Sequence, residues 1–253
     1  MPQIEIEVPT ADGVAEAYLS TPEGDGEAPP VLMFMDAFGL RPRIREMADR
    51  IAGQGYAVLV PNLFYRSAHG PIVSPEELAD DEKRGAAFGR IMPMIQELTA
   101  GRLTADATAY LDFLTGRDGV ADRPAGIVGY CMGGRSALVV ASALPNRFAA
   151  LASFHAGRVV TDTPDSPHLG VPSLTAEVYF GHADNDGSMT PEHVAALEVA
   201  LAEAGVEYTS EVYEGAPHGF TMSDTSMYHE AGEKRHWEVL LPLFARRLKP
   251  ALS

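Results

Sequence analysis

The chain has 253 residues, of which 46% are hydrophobic and 21% charged, and its formal net charge is −16. This composition is typical of a globular protein with one large core, and no apolar run reaches the roughly 18 residues that a membrane span needs. Nucleic acid and anionic membranes are disfavoured as partners because both would repel the negative charge. The amino terminus lacks the pattern of a signal peptide, and the single cysteine, Cys131, cannot form an internal disulfide. We therefore expect a cytoplasmic protein with one domain over residues 1–253.

The first predicted elements form an antiparallel hairpin, because residues 4–8 and 14–20 alternate with period two around a short ADG turn. Apolar runs typical of buried strands then alternate with helical patterns. The further predicted strands are 31–35, 56–60, 125–129, 150–154, 174–180 and 208–213. The predicted helices are 41–53, 75–98, 104–115, 132–144, 191–205 and 232–248. Pro93 is expected to kink or split the second helix.

This alternation predicts an α/β fold, with a mostly parallel central sheet, helices on both faces and the N-terminal hairpin. Ligands of such sheets bind outside the carboxyl ends of the strands. Cys131, Asp184 and His218 each follow a different predicted strand. We therefore expect these three side chains to converge at one edge of the sheet.

Cys131 lies in GYCMGG (129–134), at a predicted sharp turn from strand to helix. The glycines allow strand and helix to approach closely. The helix N-terminus beside the sulfur favours a thiolate, and the N–H of Met132 can face a developing oxyanion. A lone cysteine among apolar residues is more often a small core residue, so the turn is what favours a nucleophile.

The acid in this pattern has two candidates, Asp184 and Asp186, and either could instead cap the helix that starts near Pro191. We favour Asp184 from its distance to the predicted strand end. Together with His182 these carboxylates could suggest a metal site, but their two-residue spacing on a loop argues against one. His218 could be an ordinary loop histidine, although its position after the last strand favours catalysis.

Three motifs resemble the dienelactone hydrolase family of cysteine-dependent α/β hydrolases: GYCMGG (129–134), GHAD (181–184) and PHGF (217–220). The resemblance extends over essentially the whole chain and includes MDAFGL (35–40). It implies the α/β-hydrolase fold. It also implies a triad in which Cys131 is the nucleophile, His218 the general base and acid, and Asp184 the residue that orients His218, with no metal or cofactor.

The resemblance further implies an oxyanion hole formed by the backbone N–H groups of Ala37 and Met132. It aligns Asp36 with a family glutamate that contacts the nucleophile, although Asp36 is one methylene shorter. Family arginines clamp a substrate carboxylate, and one of these positions is Met222 here. Arg84 is a candidate for the second arginine. Since a lost guanidinium removes a charge-assisted bond, we expect weak binding of dienelactone or preference for another substrate.

Phe38, Tyr130 and His155 are further candidates for lining the pocket, with core packing or a structural hydrogen bond as the alternative for each. The sequence thus predicts a hydrolase of small esters or lactones that acts through an acyl-enzyme, of the carboxymethylenebutenolidase type. One alternative is a broad carboxylesterase or thioesterase, and another is a non-catalytic ligand-binding protein of the same fold. The physiological substrate and the oligomeric state do not follow from the sequence.

Overall fold

The computed structural model describes residues 3–24 and 26–249, so both ends of the predicted domain, residues 1 and 253, lie outside the described part. Its strands are β1 (Gln3–Thr10), β2 (Gly13–Ser20), β3 (Pro30–Phe34), β4 (Ala57–Pro61), β5 (Ala125–Tyr130), β6 (Phe148–Phe154), β7 (Glu177–Ala183) and β8 (Tyr208–Tyr213). Its α-helices are α1 (Pro42–Ala52), α2 (Pro75–Ala79), α3 (Asp81–Gln96), α4 (Ala100–Thr115), α5 (Met132–Ala143), α6 (Pro191–Glu203) and α7 (Glu230–Leu248). Short 3₁₀ segments occupy Pro145–Arg147 and Pro167–Ser173.

The strands form one eight-stranded sheet in the order β1-β2-β4-β3-β5-β6-β7-β8. β1 and β2 pair antiparallel, and β2 joins the sheet antiparallel to β4. Every pairing from β4 through β3 to β8 is parallel. The predicted mostly parallel sheet with an N-terminal hairpin is therefore confirmed.

Helices cover both faces of the sheet, as two glycines of β5 demonstrate. A Cβ on Gly126 would meet Leu248 and Phe244 of α7, whereas a Cβ on Gly129 would meet the backbone of Gly133 in α5. Residues an odd number of positions apart in a strand face opposite sides of the sheet. Hence α5 and α7 pack on opposite faces.

The predicted helix over 75–98 is two helices, and the break lies at Asp80 rather than at Pro93. Asp80 has an extended backbone, and its carboxylate accepts the N–H groups of Glu82 and Lys83 at 3.0 and 2.9 Å. This cap starts a new helix. Pro93 lies inside α3, near its end.

The centre of the sheet is a continuous apolar layer, because every residue of β3, β4 and β5 is buried. Unbroken apolar runs of this kind suit parallel strands covered on both faces. These buried strands form the rigid centre of the sheet. The loops that follow their carboxyl ends carry the site described below. Among the described helices, none is both long enough and apolar enough to cross a membrane.

Candidate active site

Cys131 occupies a strained turn between β5 and α5. Its backbone lies at φ 53° and ψ −118°, where a side chain is rarely tolerated. Its N–H donates to the carbonyl of Phe154 at 3.0 Å, and its own carbonyl accepts the N–H of Gly134 at 3.0 Å. The turn is thus held by the end of β6 on one side and by the start of the helix on the other, and the thiol stays partly exposed.

The glycines around this turn are required by close backbone approach. A Cβ on Gly129 would lie 2.1 Å from the carbonyl oxygen of Gly133. A Cβ on Gly133 would lie 2.4 Å from the carbonyl oxygen of Met35, at the start of the loop after β3. The same small residues that sharpen the turn therefore bring that loop against it.

A chain of hydrogen bonds joins a thiol, an imidazole and a carboxylate. His218 Nε2 lies 3.0 Å from Cys131 Sγ, and His218 Nδ1 lies 2.6 Å from Asp186 Oδ2. The other oxygen of Asp186 accepts the backbone N–H and the hydroxyl of Ser188 at 2.8 and 2.6 Å. This arrangement can move a proton between sulfur and imidazole while the carboxylate fixes the ring orientation.

The prediction that Asp184 contacts His218 is corrected to Asp186. Asp184 Oδ2 accepts the N–H of Gly215 at 2.9 Å, so its carboxylate serves the neighbouring loop. The physical reason is that β7 continues to Ala183, three residues beyond its predicted end. Asn185 then adopts a left-handed φ of 54°, and the next residue, Asp186, is the one that reaches the imidazole.

The charge states of His218 and Asp186 depend on each other. Burial would lower the pKa of His218, but its interactions with Cys131 and Asp186 raise that pKa to about 11. Burial would raise the pKa of Asp186, but the bonds to His218 and Ser188 lower it to about 2. Both shifts favour an imidazolium beside an ionised carboxylate.

The backbone N–H groups of Ala37 and Met132 fit the predicted oxyanion hole. Both residues line the same cavity as Cys131. Within the described residues neither N–H has a hydrogen-bond acceptor. Met132 is the first residue of α5, where N–H groups have no partner inside the helix. Two free donors beside the thiol of Cys131 can hold a developing negative oxygen.

Asp36 does not make the contact with Cys131 that the family alignment implies. Its two oxygens accept the guanidinium of Arg41 at 2.6 and 3.0 Å, and one of them also accepts the N–H of Phe38. Arg41 is buried and also donates to Asp224. The carboxylate is thus committed to an ion pair that the sequence analysis did not anticipate.

The four candidate pocket residues also have structural partners. Arg84 donates to the carbonyl of Leu78 and to Asp81 and Ser226. The fully buried hydroxyl of Tyr130 lies 2.9 Å from His236.

His155 is buried beside His218, and its Nε2 lies 2.8 Å from the hydroxyl of Thr221. Phe38 is buried edge-on against Phe88, at 5.4 Å between ring centroids. Phe88 lines the cavity, and none of the four candidates does. The hydrogen bonds and ring contacts of these four residues are therefore structural.

A cavity of about 620 Å³ contains Cys131 and His218 in its wall. Much of it is apolar and comes from α3, α4 and the residues between them. These apolar side chains, with one from α5, are Phe88, Met92, Ile95, Leu98, Leu103 and Val139. Two cationic residues that the sequence analysis missed, Arg135 and Arg158, also line it. No group of three or more potential metal-ligating side chains occurs among the described residues.

An open parallel sheet whose sharp strand–helix turn presents a side chain to a histidine–carboxylate pair defines the class of α/β hydrolases. The comparison with known sequences then gives the family: the profile of the Dienelactone hydrolase family matches residues 15–248. The chain belongs to this family, and it is a hydrolase of ester or lactone bonds.

Relatives in sequence and structure cover almost the whole chain. A carboxymethylenebutenolidase of Rhodococcus opacus is 26% identical over 243 residues, which are 95% of this chain and 89% of the relative. A provisionally named carboxymethylenebutenolidase of Salmonella typhi is 29% identical over 244 residues, 94% of this chain and 85% of the relative. The crystal structure of a provisionally named dienelactone hydrolase of Klebsiella pneumoniae has a TM-score of 0.82 at 25% identity, covering 97% of this chain and 98% of that one.

Proposed function

We propose that the protein hydrolyses small esters or lactones through an acyl-enzyme on Cys131, as a dienelactone hydrolase of the carboxymethylenebutenolidase type. The observation that carries the proposal is the hydrogen-bond chain from Asp186 through His218 to the sulfur, at the wall of a cavity large enough for a small ester. A binding protein has no need of such a chain beside a strained cysteine.

In the first half-reaction the Cys131 thiolate attacks the carbonyl carbon and forms a carbon–sulfur bond. The carbonyl electron pair moves to oxygen, where the N–H groups of Ala37 and Met132 stabilise it. When the tetrahedral intermediate collapses, the carbon–oxygen bond breaks and the leaving oxygen takes the proton from His218 Nε2. In a lactone the leaving oxygen remains attached to the acyl group.

In the second half-reaction the now neutral His218 accepts a proton from water as the water oxygen attacks the thioester carbonyl. The carbon–sulfur bond breaks, which regenerates the thiolate beside the protonated imidazole and releases the acid. Asp186 keeps Nδ1 protonated and stabilises the imidazolium throughout. No step needs a metal ion or an organic cofactor.

The test is hydrolysis of 4-nitrophenyl acetate and of cis-dienelactone by the wild type and by Cys131→Ala. We expect turnover by the wild type only, with an acetyl group on Cys131 detectable by mass spectrometry after rapid quenching. Equal residual turnover in both proteins would overturn the proposed nucleophile. No turnover of either compound, together with binding of one of them, would instead support the non-catalytic binding protein.

A further inference from the structure

The cavity that contains Cys131 extends along helix α5. Cys131 lies directly before this helix, and Arg135 and Val139, four and eight residues later, line the same cavity. Residues four apart in a helix lie on one face. Because an α-helix rises about 1.5 Å per residue, this wall runs about 12 Å from Cys131 to Val139. The cavity is therefore long enough for an extended chain that starts at the sulfur.

The wall that α3 and α4 contribute is apolar. Phe88, Met92 and Ile95 follow one another along α3 at spacings of four and three, which places them on one face of the helix. Leu103 adds apolar surface from α4. Met92 is 41% exposed, so this apolar face is incompletely covered by the protein itself. A hydrocarbon chain bound against it would remove apolar surface from water.

The part of the cavity wall beside His218 is polar instead. A Cβ on Gly157 would lie 2.3 Å from Ser188 Oγ and 3.7 Å from His218 Cε1, so the serine hydroxyl borders the imidazole. Arg135 Nε donates to the carbonyl of Arg158 at 3.3 Å, which draws its charged end to this side as well. The cavity thus has a polar part at the histidine and an apolar part at α3, α4 and the far turn of α5.

The chemistry proposed above determines which part of an ester occupies which part of the cavity. The tetrahedral carbon is bound to the sulfur of Cys131, and its oxyanion faces the N–H groups of Ala37 and Met132. Its leaving oxygen faces His218, which protonates it. The leaving group therefore lies in the polar part of the cavity. The acyl chain takes the remaining direction, into the apolar part.

We propose that the enzyme selects esters whose acyl group is an unbranched hydrocarbon chain of medium length, and that Val139 forms the end of the acyl site. The inference rests on the function proposed above and names the acyl group on which that function acts. An extended chain advances about 1.2 Å per bond, so about eight to ten carbons span the distance of about 12 Å from Cys131 to Val139.

A series of 4-nitrophenyl esters from acetate to dodecanoate, kept below the concentrations at which they form micelles, tests the acyl site. We expect kcat/KM of the wild type to rise by roughly two- to fourfold per methylene group up to about octanoate and then to fall. Val139→Phe should move the maximum to shorter chains and lower the octanoate-to-acetate ratio by about tenfold or more. Val139→Ala should move the maximum to longer chains.

Val199→Phe is the matched control, because Val199 lies on α6 and is 56% exposed, and it should leave the ratio unchanged. A chain-length profile that is flat, or a maximum that stays in place in both Val139 variants, would overturn the acyl site. Acetate esters of alcohols of increasing length give the second series. If Val139→Phe changes this series and not the acyl series, the direction assigned to the acyl chain is wrong.

Calorimetry on Cys131→Ala separates these outcomes from failure of the proposed chemistry. Methyl octanoate should bind this variant more tightly than methyl butanoate, and addition of Val139→Phe should abolish the difference. Absence of the difference would overturn the acyl site even if Cys131-dependent turnover is found. Its presence without turnover would support the acyl site and overturn only the chemistry.

Discussion

At the scale of single residues, the candidate site depends on how one loop directs two neighbouring aspartates. Asp184 and Asp186 are separated by the left-handed Asn185, and they serve different partners. Asp184 supports the loop at Gly215, whereas Asp186 binds the imidazole. The two residues therefore provide a matched pair for separating a structural carboxylate from a positioning one.

We expect Asp186→Asn to reduce kcat/KM for an activated ester by roughly 10²–10⁴-fold, because the amide no longer stabilises the imidazolium or its orientation. Asp184→Asn is the matched control, and its effect should stay within about threefold because its amide oxygen can still accept the N–H of Gly215. Steady-state kinetics of both variants beside the wild type checks this. A larger loss of kcat/KM in Asp184→Asn than in Asp186→Asn would show that Asp184 is the residue that positions His218.

The alkaline limit of activity is a second prediction at this scale. Interactions with Cys131 and Asp186 overcome the effect of burial and raise the pKa of His218 to about 11. A raised pKa keeps the imidazolium protonated to higher pH, so the acid that serves the leaving group should be lost only as pH approaches that value. Asp186→Asn removes part of the stabilising charge, and its alkaline limb should move to lower pH.

The measurement is kcat/KM against pH for both proteins, with the rate of Cys131→Ala subtracted as background. The apparent values belong to the coupled thiol–imidazole pair, so the direction of the difference between the two profiles is the readout. Superimposable alkaline limbs would mean that Asp186 does not set the charge state of His218.

At the scale of secondary-structure elements, Arg41 links two loops that contribute to the site. It lies just before α1, and its guanidinium binds Asp36 in the loop after β3 and Asp224 in the segment that follows His218. The side chains of Arg41 and Asp36 are only 4% and 3% exposed. The second bond of Arg41, to Asp224, holds the loop that carries Ala37 against the segment that follows the histidine.

We expect Arg41→Met to lower the free energy of unfolding by about 3–5 kcal/mol, because it leaves the carboxylate of Asp36 buried without its partner. Arg147→Met is the control, since Arg147 and Asp112 are exposed and such pairs contribute about 0–1 kcal/mol. Urea unfolding of both variants gives the comparison. A double variant, Arg41→Met with Asp36→Asn, should recover part of the loss; if it recovers none, the buried charge is not the cause.

At the scale of the whole molecule, the sequence alone predicted the mostly parallel sheet and the helices that cover it. Buried parallel strands produce unbroken apolar runs, and the glycines at the turn around Cys131 reveal a close approach that only a few folds require. Element type and order followed from these local signals. The split between α2 and α3 did not, because the cap at Asp80 was hidden by a continuous helical pattern.

The candidate site was less predictable where it depends on contacts between distant segments. The partner of His218 depended on the true end of β7, three residues beyond the apolar run that suggested it. Arg84 was assigned from its position in the family pattern, but it donates to Ser226 of a distant segment. Asp36 was assigned in the same way, but its carboxylate binds Arg41 of its own loop. Arg135 and Arg158 come together only in the folded chain, and no local pattern distinguishes them from surface arginines.

The pH dependence of stability reflects groups whose pKa differs between the folded and unfolded chain. Asp186 has its pKa lowered to about 2, against burial, by His218 and Ser188, and its side chain is only 6% exposed. A lowered carboxyl pKa contributes stability that is present above the unfolded value near 4 and is lost as pH falls through the folded value. The raised pKa of His218 acts in the opposite direction, and its contribution is lost as pH rises towards about 11.

We therefore expect Asp186→Asn to be less stable than the wild type by on the order of 2–3 kcal/mol near pH 6, where both contributions are present. The difference should shrink as pH is lowered from about 5 to about 2, since protonation of Asp186 makes the wild type resemble the variant. Urea unfolding across this range measures both proteins, with Asp184→Asn as the control for loss of a neighbouring carboxylate. A difference that stays constant with pH would show that the ionised Asp186 adds no stability through its charge.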